Sequence, residues 1–290
     1  MSEPNQVQGT PEEFGTRSIW RDSSGLDGEQ AREHAARLEL RARAESEIAV
    51  RDEYLSLLGV APGERALDVG CGSGAVTRAL ARRVGSAGRA VGVDTSSAIL
   101  AVARELAERE GVGNAVDFRQ GDCRSLPFTD ASFDVVLAAT TLCHVPGPER
   151  ALAEMVRVTR PGGRVGVFDL DGDMCLYAHP DRELTRRIVA AYADQMLVNG
   201  WLVRKLPALL TELGVIGVRT RGFMPLEAGG YYANRAERCA DVAAQSGLIT
   251  PDDRARWLEA HRADVAAGRF LGGQLHLLVW GTRPFTDGKA

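Results

Sequence analysis

Apolar and polar positions alternate in blocks that predict strands and helices in turn through the middle of the chain. Short apolar runs ending in glycine or aspartate are separated by amphipathic stretches and glycine-rich turns. The predicted strands cover 65–70, 89–94, 115–120, 133–138 and 164–169, and the predicted helices cover 75–84, 97–110 and 148–158. Strands that alternate with helices in this way predict a parallel sheet with helices on both faces.

The segment before the first strand has a helical pattern rich in alanine, arginine and glutamate, from Glu29 to Leu58. Its candidate inward positions are Leu38, Ile48, Leu55 and Leu58. A polar stretch, residues 1–25, precedes this segment and is expected to be poorly ordered. We therefore expect residues 1–60 to form an N-terminal arm with lid helices.

The pattern changes after Asp169. The elements predicted there are a helix over 202–213 and strands over 215–226 and 274–282. The stretch between those two strands has helical composition and is too long for an unstructured loop. We expect helical insertions near 171–200 and 228–270, within a domain that spans 61–290.

Composition and charge narrow the function. The chain has 290 residues, enough for two domains or for one domain with insertions. Its net charge of −4 argues against a nucleic-acid coat protein or a polybasic membrane binder. The five cysteines form no CxxC pair, which favours free thiols in a reducing compartment. The N-terminal sequence lacks the basic start and apolar stretch of a signal peptide, so we expect a cytoplasmic protein.

The most informative segment is LDVGCGSG at 67–74, where a predicted strand gives way to a helix. Its glycines let the backbone approach a ligand and present N–H groups beside a helix N-terminus. Gly70, Gly72 and Ala75 fit the GxGxxA form of the dinucleotide fingerprint. Asp94 ends the next strand, where a carboxylate can accept hydrogen bonds from both ribose hydroxyls. Because nucleotide-binding oxidoreductases share these features, they do not by themselves decide the function.

Further segments follow in order: GVD at 92–94, GDCRSLPF at 121–128 and FDVVLAATTLCHVPGPERALAEMVRVTRPGGRV at 133–165. Together with LDVGCGSG, they make the chain resemble class I S-adenosylmethionine-dependent methyltransferases, in particular the small-molecule group of ubiquinone and menaquinone biosynthesis. The resemblance covers about 61–169 well and the C-terminal third in outline. It implies an α/β, Rossmann-like fold with a seven-stranded, mostly parallel sheet, whose last strand is antiparallel and lies between its neighbours.

The resemblance also implies S-adenosyl-L-methionine as the cofactor, with no metal. Asp68 would organise the glycine loop, and the carbonyl of Ala139 would contact the methionine ammonium. The resemblance implies that Gly70, Cys71 and Gly72 contact the methionine part. It implies Asp94 and Thr95 for the ribose, and Asp122 and Cys123 for the adenine. An arginine of the N-terminal helical segment is a further candidate for the cofactor carboxylate, but the sequence singles out none.

Two residues are candidates for catalysis. His144 follows the fourth strand, at the rim of the family's active site, and histidine with its ordinary pKa of about 6.5 accepts protons at neutral pH. It could serve as a general base for an acceptor that must lose a proton. Asp169 is the member of an acidic cluster after the fifth strand that we most expect to face the site. Both residues also have a purely structural interpretation.

These observations predict transfer of a methyl group by in-line displacement to a small-molecule acceptor, such as a secondary metabolite or a quinone-like ring. An NAD(P)-dependent oxidoreductase is one alternative, and a protein of this fold that binds the cofactor without methylating is another. The acidic charge and the lack of an Asn-Pro-Pro-aromatic motif after the fourth strand argue against nucleic-acid or protein acceptors. We expect no nucleic-acid or membrane partner, and the sequence leaves a homodimer open.

Overall fold

A computed structural model describes residues 25–285; residues 1–24, for which we expected poor order, lie outside that part of the chain. The strands are β1 (Arg65–Val69), β2 (Arg89–Asp94), β3 (Val116–Gln120), β4 (Phe133–Ala139), β5 (Thr159–Tyr177), β6 (Ile216–Phe223), β7 (Leu226–Glu227) and β8 (Gly272–Thr282). The helices are α1 (Gly28–Ala42), α2 (Glu45–Leu57), α3 (Ala75–Val84), α4 (Ser97–Arg109), α5 (Pro148–Val158), α6 (Arg182–Met196), α7 (Leu202–Glu212), α8 (Gly230–Gln245) and α9 (Pro251–Ala266).

The strands form one mixed sheet in the order β3-β2-β1-β4-β5-β8-β6, with the short β7 also paired to β8. Strands β1 to β5 are parallel, and β8 runs antiparallel between β5 and β6. This confirms the predicted Rossmann-like sheet and its inserted antiparallel strand. Val69 at the end of β1 pairs with Val93 of β2 and Ala138 of β4. The carboxyl ends of these three strands are therefore level, and the loops that follow them lie side by side.

Two hydrophobic cores cover the sheet, one on each face. Successive side chains of a strand point to opposite faces, and β4 shows this clearly. Val136 packs with α5 and α7, whereas Leu137 packs with α2, α3 and α4. Both side chains are fully buried. The central strands are apolar on both faces because helices cover both sides of the sheet.

The observed elements differ from the predicted ones in two places that matter for the site. The single N-terminal helix predicted over 29–58 is two helices, α1 and α2, and Ile48, expected to face inward, is 38% exposed. Strand β5 continues through Tyr177 instead of ending at Asp169, because β8 pairs with it along most of that length. The region predicted to be helical or irregular therefore begins as a strand.

The predicted helical insertions consist of α6 in the first region and of α8 and α9 in the second. These three helices share a third hydrophobic core, separate from the two on the sheet, with Trp257, Tyr232 and Ile188 among its fully buried members. No helix between residues 25 and 285 is long and apolar enough to cross a membrane.

Candidate functional site

A cavity of about 590 Å³ opens at the carboxyl ends of β1, β2 and β4, beneath α1 and the insertion helices α6 and α8. This is the edge at which open α/β sheets bind ligands. The predicted site residues on its wall are Gly70, Cys71, Gly72, Asp94, Thr95, Asp122, Cys123, Ala139 and His144. Asp68 and Asp169 are not on the wall. The structure thus brings together nine residues that the sequence places in five separate segments.

The loop after β1 depends on glycine at its first position. Gly70 has a φ of +72°, and a Cβ there would lie 2.2 Å from the Thr141 Cγ2 atom. The Thr141 hydroxyl donates hydrogen bonds of 3.2 Å to the carbonyls of Gly70 and Ala139. The two loops therefore approach each other closely, and only a residue without a side chain fits between them.

Asp94 connects the end of β2 to the glycine loop. Its Oδ2 accepts a hydrogen bond of 2.9 Å from the Gly72 backbone N–H, and its Oδ1 accepts one of 3.1 Å from the Ser96 N–H. A carboxylate has about four acceptor positions, so these two bonds are compatible with further donors from a ligand. Thr95 lies beside it on the cavity wall, and its carbonyl accepts a hydrogen bond of 2.9 Å from the Gln120 side chain.

The loop after β3 brings a charged and a neutral group to the wall. Asp122 binds the forked guanidinium of Arg124, with Oδ2 to Nη2 at 2.7 Å, and this bond holds the pKa of Asp122 below its usual value. Burial raises the pKa of the Cys123 thiol to about 12. Cys123 is therefore a neutral, largely buried side chain at neutral pH, and any contact with a polar ligand falls to its backbone.

Asp68 lies beneath the glycine loop and is buried. Its Oδ2 accepts a hydrogen bond of 2.7 Å from the hydroxyl of Thr77 in α3. Burial raises the pKa of Asp68 to about 7, although the Thr77 bond opposes that shift. Asp68 thus joins β1 to α3 on either side of the loop.

Asp169 does not face the cavity, contrary to our expectation. Its neighbours Phe168 and Leu170 line the wall, and alternation along β5 turns the Asp169 side chain away from it. The side chain is 1% exposed and accepts hydrogen bonds of 2.9 Å from the backbone N–H groups of Cys143 and Leu170. Asp169 therefore holds the segment that carries His144 instead of reaching a ligand itself.

His144 ends a short 3-10 helix, Leu142–His144, between β4 and α5. It lies on the cavity wall and is half-buried. Asn199, before α7, donates hydrogen bonds of 3.0 Å and 2.6 Å to the carbonyls of Leu142 and Val145. The backbone on both sides of His144 is thus fixed from a second element.

The structure also reveals site residues that the sequence did not single out. Arg41 of α1 lies on the wall, with its Nε 3.1 Å from Glu47 Oε2 and its Nη1 donating to the Thr140 hydroxyl at 3.2 Å. Thr140 has a φ of +50°, a strained conformation for a residue with a branched side chain. Helix α1 also places Leu38 against Gly72, with Cδ1 2.8 Å from the position of a Cβ there. The arginine-rich composition of α1 was the one feature of the sequence that pointed to contacts of this helix with the site.

His276 of β8 completes this network from below. Arg41 Nη2 donates to His276 Nε2 at 3.1 Å, and the opposite nitrogen, Nδ1, lies 3.0 Å from the Gln274 carbonyl. A guanidinium only donates and a carbonyl only accepts, so the ring proton is on Nδ1. Burial and the positive charge of Arg41 lower the pKa of His276 to about 3. The ring is neutral at neutral pH.

We expect His276 to lower the free energy of unfolding as the pH drops below about 6.5. The unfolded histidine binds a proton near pH 6.5, whereas the folded one does so only near pH 3. His276 alone contributes a slope of up to about 1.4 kcal/mol per pH unit between those values. Urea denaturation of the wild type and of His276→Gln, at about pH 7 and about pH 5, measures this contribution of His276 to the free energy of unfolding. Asp68 titrates in both proteins and cancels in the difference, so equal slopes would contradict a neutral His276.

Residues 67–167 match the protein family described as "Methyltransferase domain". The chain is 33% identical over 222 residues to an uncharacterized 37.1 kDa protein of transposon TN4556 from Streptomyces fradiae, covering 75% of this chain and 62% of that protein. It is 37% identical over 139 residues to the ubiquinone/menaquinone biosynthesis C-methyltransferase UbiE of Ectopseudomonas mendocina, covering 48% of this chain and 52% of that enzyme. The chain thus spans only about half to three-fifths of the length of these two relatives.

Among solved structures, the [4+2]-cyclase SpnF superposes with a TM-score of 0.51 at 21% identity, covering 95% of this chain and 96% of that one. This likeness concerns the fold and includes the insertion helices. The domain match covers the loops after β1 to β4, which form the floor of the cavity. Residues 67–167 thus match a methyltransferase domain, on a sheet topology that agrees with the class I S-adenosylmethionine-dependent methyltransferases that the sequence resembles.

Proposed function

We propose that this protein transfers a methyl group from S-adenosyl-L-methionine to a small-molecule acceptor. The observation that carries the proposal is the position of Asp94, which bonds to the Gly72 N–H and lies on the wall of the cavity above the glycine loop. A carboxylate there can hold a ribose, as the family resemblance implies. The cavity volume is within the usual range for small-molecule sites, about 300–1,000 Å³.

The glycine loop fits the proposed cofactor. A Cβ at Gly70 would collide with Thr141 and one at Gly72 with Leu38, so both positions stay glycine and the loop presents bare backbone at the cavity wall. In this proposal Asp68 supports the loop from below, and the carbonyl of Ala139 accepts from the methionine ammonium. The further proposed contacts are Gly70, Cys71 and Gly72 to the methionine part, Asp94 and Thr95 to the ribose, and Asp122 and the Cys123 backbone to the adenine. No metal takes part in the proposal.

The chain's own task is to position the acceptor and exclude water. When bound, S-adenosylmethionine would supply a methyl group on a positively charged sulfur: the acceptor lone pair bonds to the methyl carbon in line as the carbon–sulfur bond breaks, and S-adenosylhomocysteine leaves. Helix α1 covers the cavity from one side, and α6 and α8 cover it from another, so the acceptor is held out of bulk water. His144 takes the proton of an acceptor that must lose one. Asp169 acts as a positioning residue through the Cys143 N–H, since it does not reach the cavity.

We further propose a domain organisation and a cellular compartment for the protein. Contacts of α1 with the glycine loop support an N-terminal lid within residues 1–60, followed by a methyltransferase domain over 61–290. All five cysteines are free thiols, which supports a reducing compartment such as the cytoplasm. A homodimer is tested by measuring the molar mass in solution with light scattering.

Asp94→Ala is expected to weaken the binding of S-adenosylhomocysteine by about 1–3 kcal/mol, because charge-assisted hydrogen bonds to the ribose are lost. Titration calorimetry measures the affinity. Asp117→Ala is the matched control, since Asp117 lies on the neighbouring strand β3 and is absent from the cavity wall. Unchanged affinity in Asp94→Ala would contradict the proposed ribose contact. Binding of NAD(P) by the wild type in place of S-adenosylhomocysteine would favour the oxidoreductase alternative.

A protein of this fold that binds the cofactor without methylating is the second candidate; a solved structure with a similar fold over 95% of this chain is named a [4+2]-cyclase. Incubating the protein with methyl-labelled S-adenosylmethionine and the low-molecular-weight fraction of a cell extract separates the two. Label in a small molecule supports methyl transfer. Tight cofactor binding with no labelled product would favour the second candidate.

A further inference from the structure

The part of the cavity formed by the insertion helices has its own chemistry. Tyr192 and Met196 of α6 line it, as do Tyr231, Arg235 and Arg238 of α8. All five residues lie outside the segment that matches the methyltransferase domain. This wall therefore differs from the glycine loop both in origin and in character: it is aromatic and apolar with two arginines.

Arg235 is a buried cation without an acidic partner. It is 3% exposed, and within residues 25–285 no carboxylate oxygen lies within 4.0 Å of its guanidinium. Its Nε atom is buried and has no hydrogen-bond partner in the described chain. Its Nη2 donates to Gln274 Oε1 at 2.5 Å, and its guanidinium lies 4.4 Å from the centre of the Tyr192 ring. A neutral amide and an aromatic face orient the charge but do not neutralise it.

Two other arginines of this region have an acidic partner, whereas Arg51 of α2, on the same wall, has none within 4.0 Å among the described residues and donates to the Ala42 carbonyl. Arg41 has Glu47 at 3.1 Å, and Arg78 has Glu39 at 2.8 Å. Those two charges are neutralised within the protein. Because buried charges are normally paired, the missing partner of Arg235 points to an anion supplied by a ligand.

Two further observations agree with this. Arg238 is three residues along α8 from Arg235, so both side chains lie on the same helix face, and both line the cavity. Arg238 forms no ion pair with any described residue within 4.0 Å. Around the whole wall, six arginines accompany three carboxylates. The cavity thus carries an excess of positive charge, and Arg235 and Arg238 supply the part of it on the α8 side.

The orientation of Arg235 is fixed before any ligand arrives. Gln274 is fully buried, and its amide nitrogen donates to the backbone carbonyls of Asp171 and Met174. Its carbonyl oxygen therefore faces Arg235. A guanidinium held in place at the cavity wall is prepared for a charge-assisted hydrogen bond to a ligand carboxylate.

We propose that the methyl acceptor carries a carboxylate on an apolar or aromatic body, and that this carboxylate pairs with Arg235. The inference rests on the proposed methyl transfer and specifies its substrate class. Tyr192, Met196 and Tyr231 supply the surface for the apolar body. A second source of the same chemistry is the carboxylate of the cofactor itself, and the experiment below distinguishes the two.

The test compares the binding of 3-phenylpropanoate and its neutral analogue 3-phenylpropanamide to wild-type protein saturated with S-adenosylhomocysteine, by calorimetry. The acid is expected to bind at least about tenfold more tightly than the amide, because only the acid forms a charge-assisted pair. In Arg235→Gln this ratio is expected to fall to about one, and Arg235→Lys is expected to keep part of it. Arg262→Gln, which alters an exposed arginine of α9 paired with Glu237, is expected to keep the full ratio.

Three results would overturn the inference while leaving methyl transfer in place. The first is equal binding of acid and amide by the wild type, and the second is no detectable binding of either; neither result needs a variant that folds. The third is a loss of S-adenosylhomocysteine affinity in Arg235→Gln, which would assign the arginine to the cofactor carboxylate. Failure of the wild type to bind S-adenosylhomocysteine would instead overturn the proposed function, and the substrate class with it.

Discussion

Arg78→Met is expected to lower the free energy of unfolding by about 3–5 kcal/mol, because removing one partner of a buried ion pair leaves the other charge buried. Arg78 donates to both oxygens of Glu39, at 2.9 and 2.8 Å, and both side chains are less than one-tenth exposed. It also donates to the Ser73 carbonyl at 2.7 Å, while the Ser73 hydroxyl donates to Glu39. The substitution therefore breaks the connection between α1, α3 and the glycine loop, and chemical denaturation measures the loss.

Arg82→Met is the matched control for this experiment. Arg82 lies one helical turn further along α3 and pairs with Glu110, but its side chain is half exposed. An exposed pair contributes about 0–1 kcal/mol. Equal losses in the two variants would show that the buried pair with Glu39 adds nothing. Cofactor affinity is expected to fall only in Arg78→Met, because only that variant releases α1 from the glycine loop.

His144→Ala is expected to lower the rate of methyl transfer by about 10²- to 10⁴-fold if the acceptor must lose a proton, the range that a general base contributes. His144 lies on the cavity wall on a segment held by Asp169 and Asn199. The substitution removes the imidazole and leaves those supports in place. Label transfer into the low-molecular-weight fraction of a cell extract measures the rate, and S-adenosylhomocysteine affinity should stay unchanged.

His144→Gln separates a base from a residue that only positions the acceptor. Glutamine keeps a similar size and can hydrogen-bond, but it cannot take up a proton near neutral pH. Loss of turnover in both variants supports the general base. Restored turnover in His144→Gln would assign the histidine to positioning, and near-normal turnover in His144→Ala would leave it a structural role alone.

The sheet could be predicted from the sequence because its strands are defined by local patterns. β1, β2 and β4 are short, largely apolar runs, and burial on both faces demands that composition. The glycine loop was equally readable, since the left-handed φ of Gly70 and its close contact with Thr141 exclude other residues.

The remaining features depend on contacts between distant segments. The break between α1 and α2 was missed because both helices share one composition. The direction of Asp169 was wrong because the strand was expected to end at this residue, whereas β5 continues and its alternation turns the Asp169 side chain away from the cavity. The partners of Arg78 and the lack of an acidic partner for Arg235 are likewise set by the fold, since no local pattern separates a paired arginine from an unpaired one.

The insertion helices α6, α8 and α9 have a hydrophobic core of their own, separate from the cores that cover the sheet. None of its buried side chains belongs to the two clusters that hold the sheet and the glycine loop. Changes to Tyr192 or Arg235 can therefore accumulate with little effect on the elements around Asp94. Over evolutionary time, substitutions in α6 and α8 would change which acceptor the protein takes. The loops after β1 and β2 would continue to bind the same methyl donor.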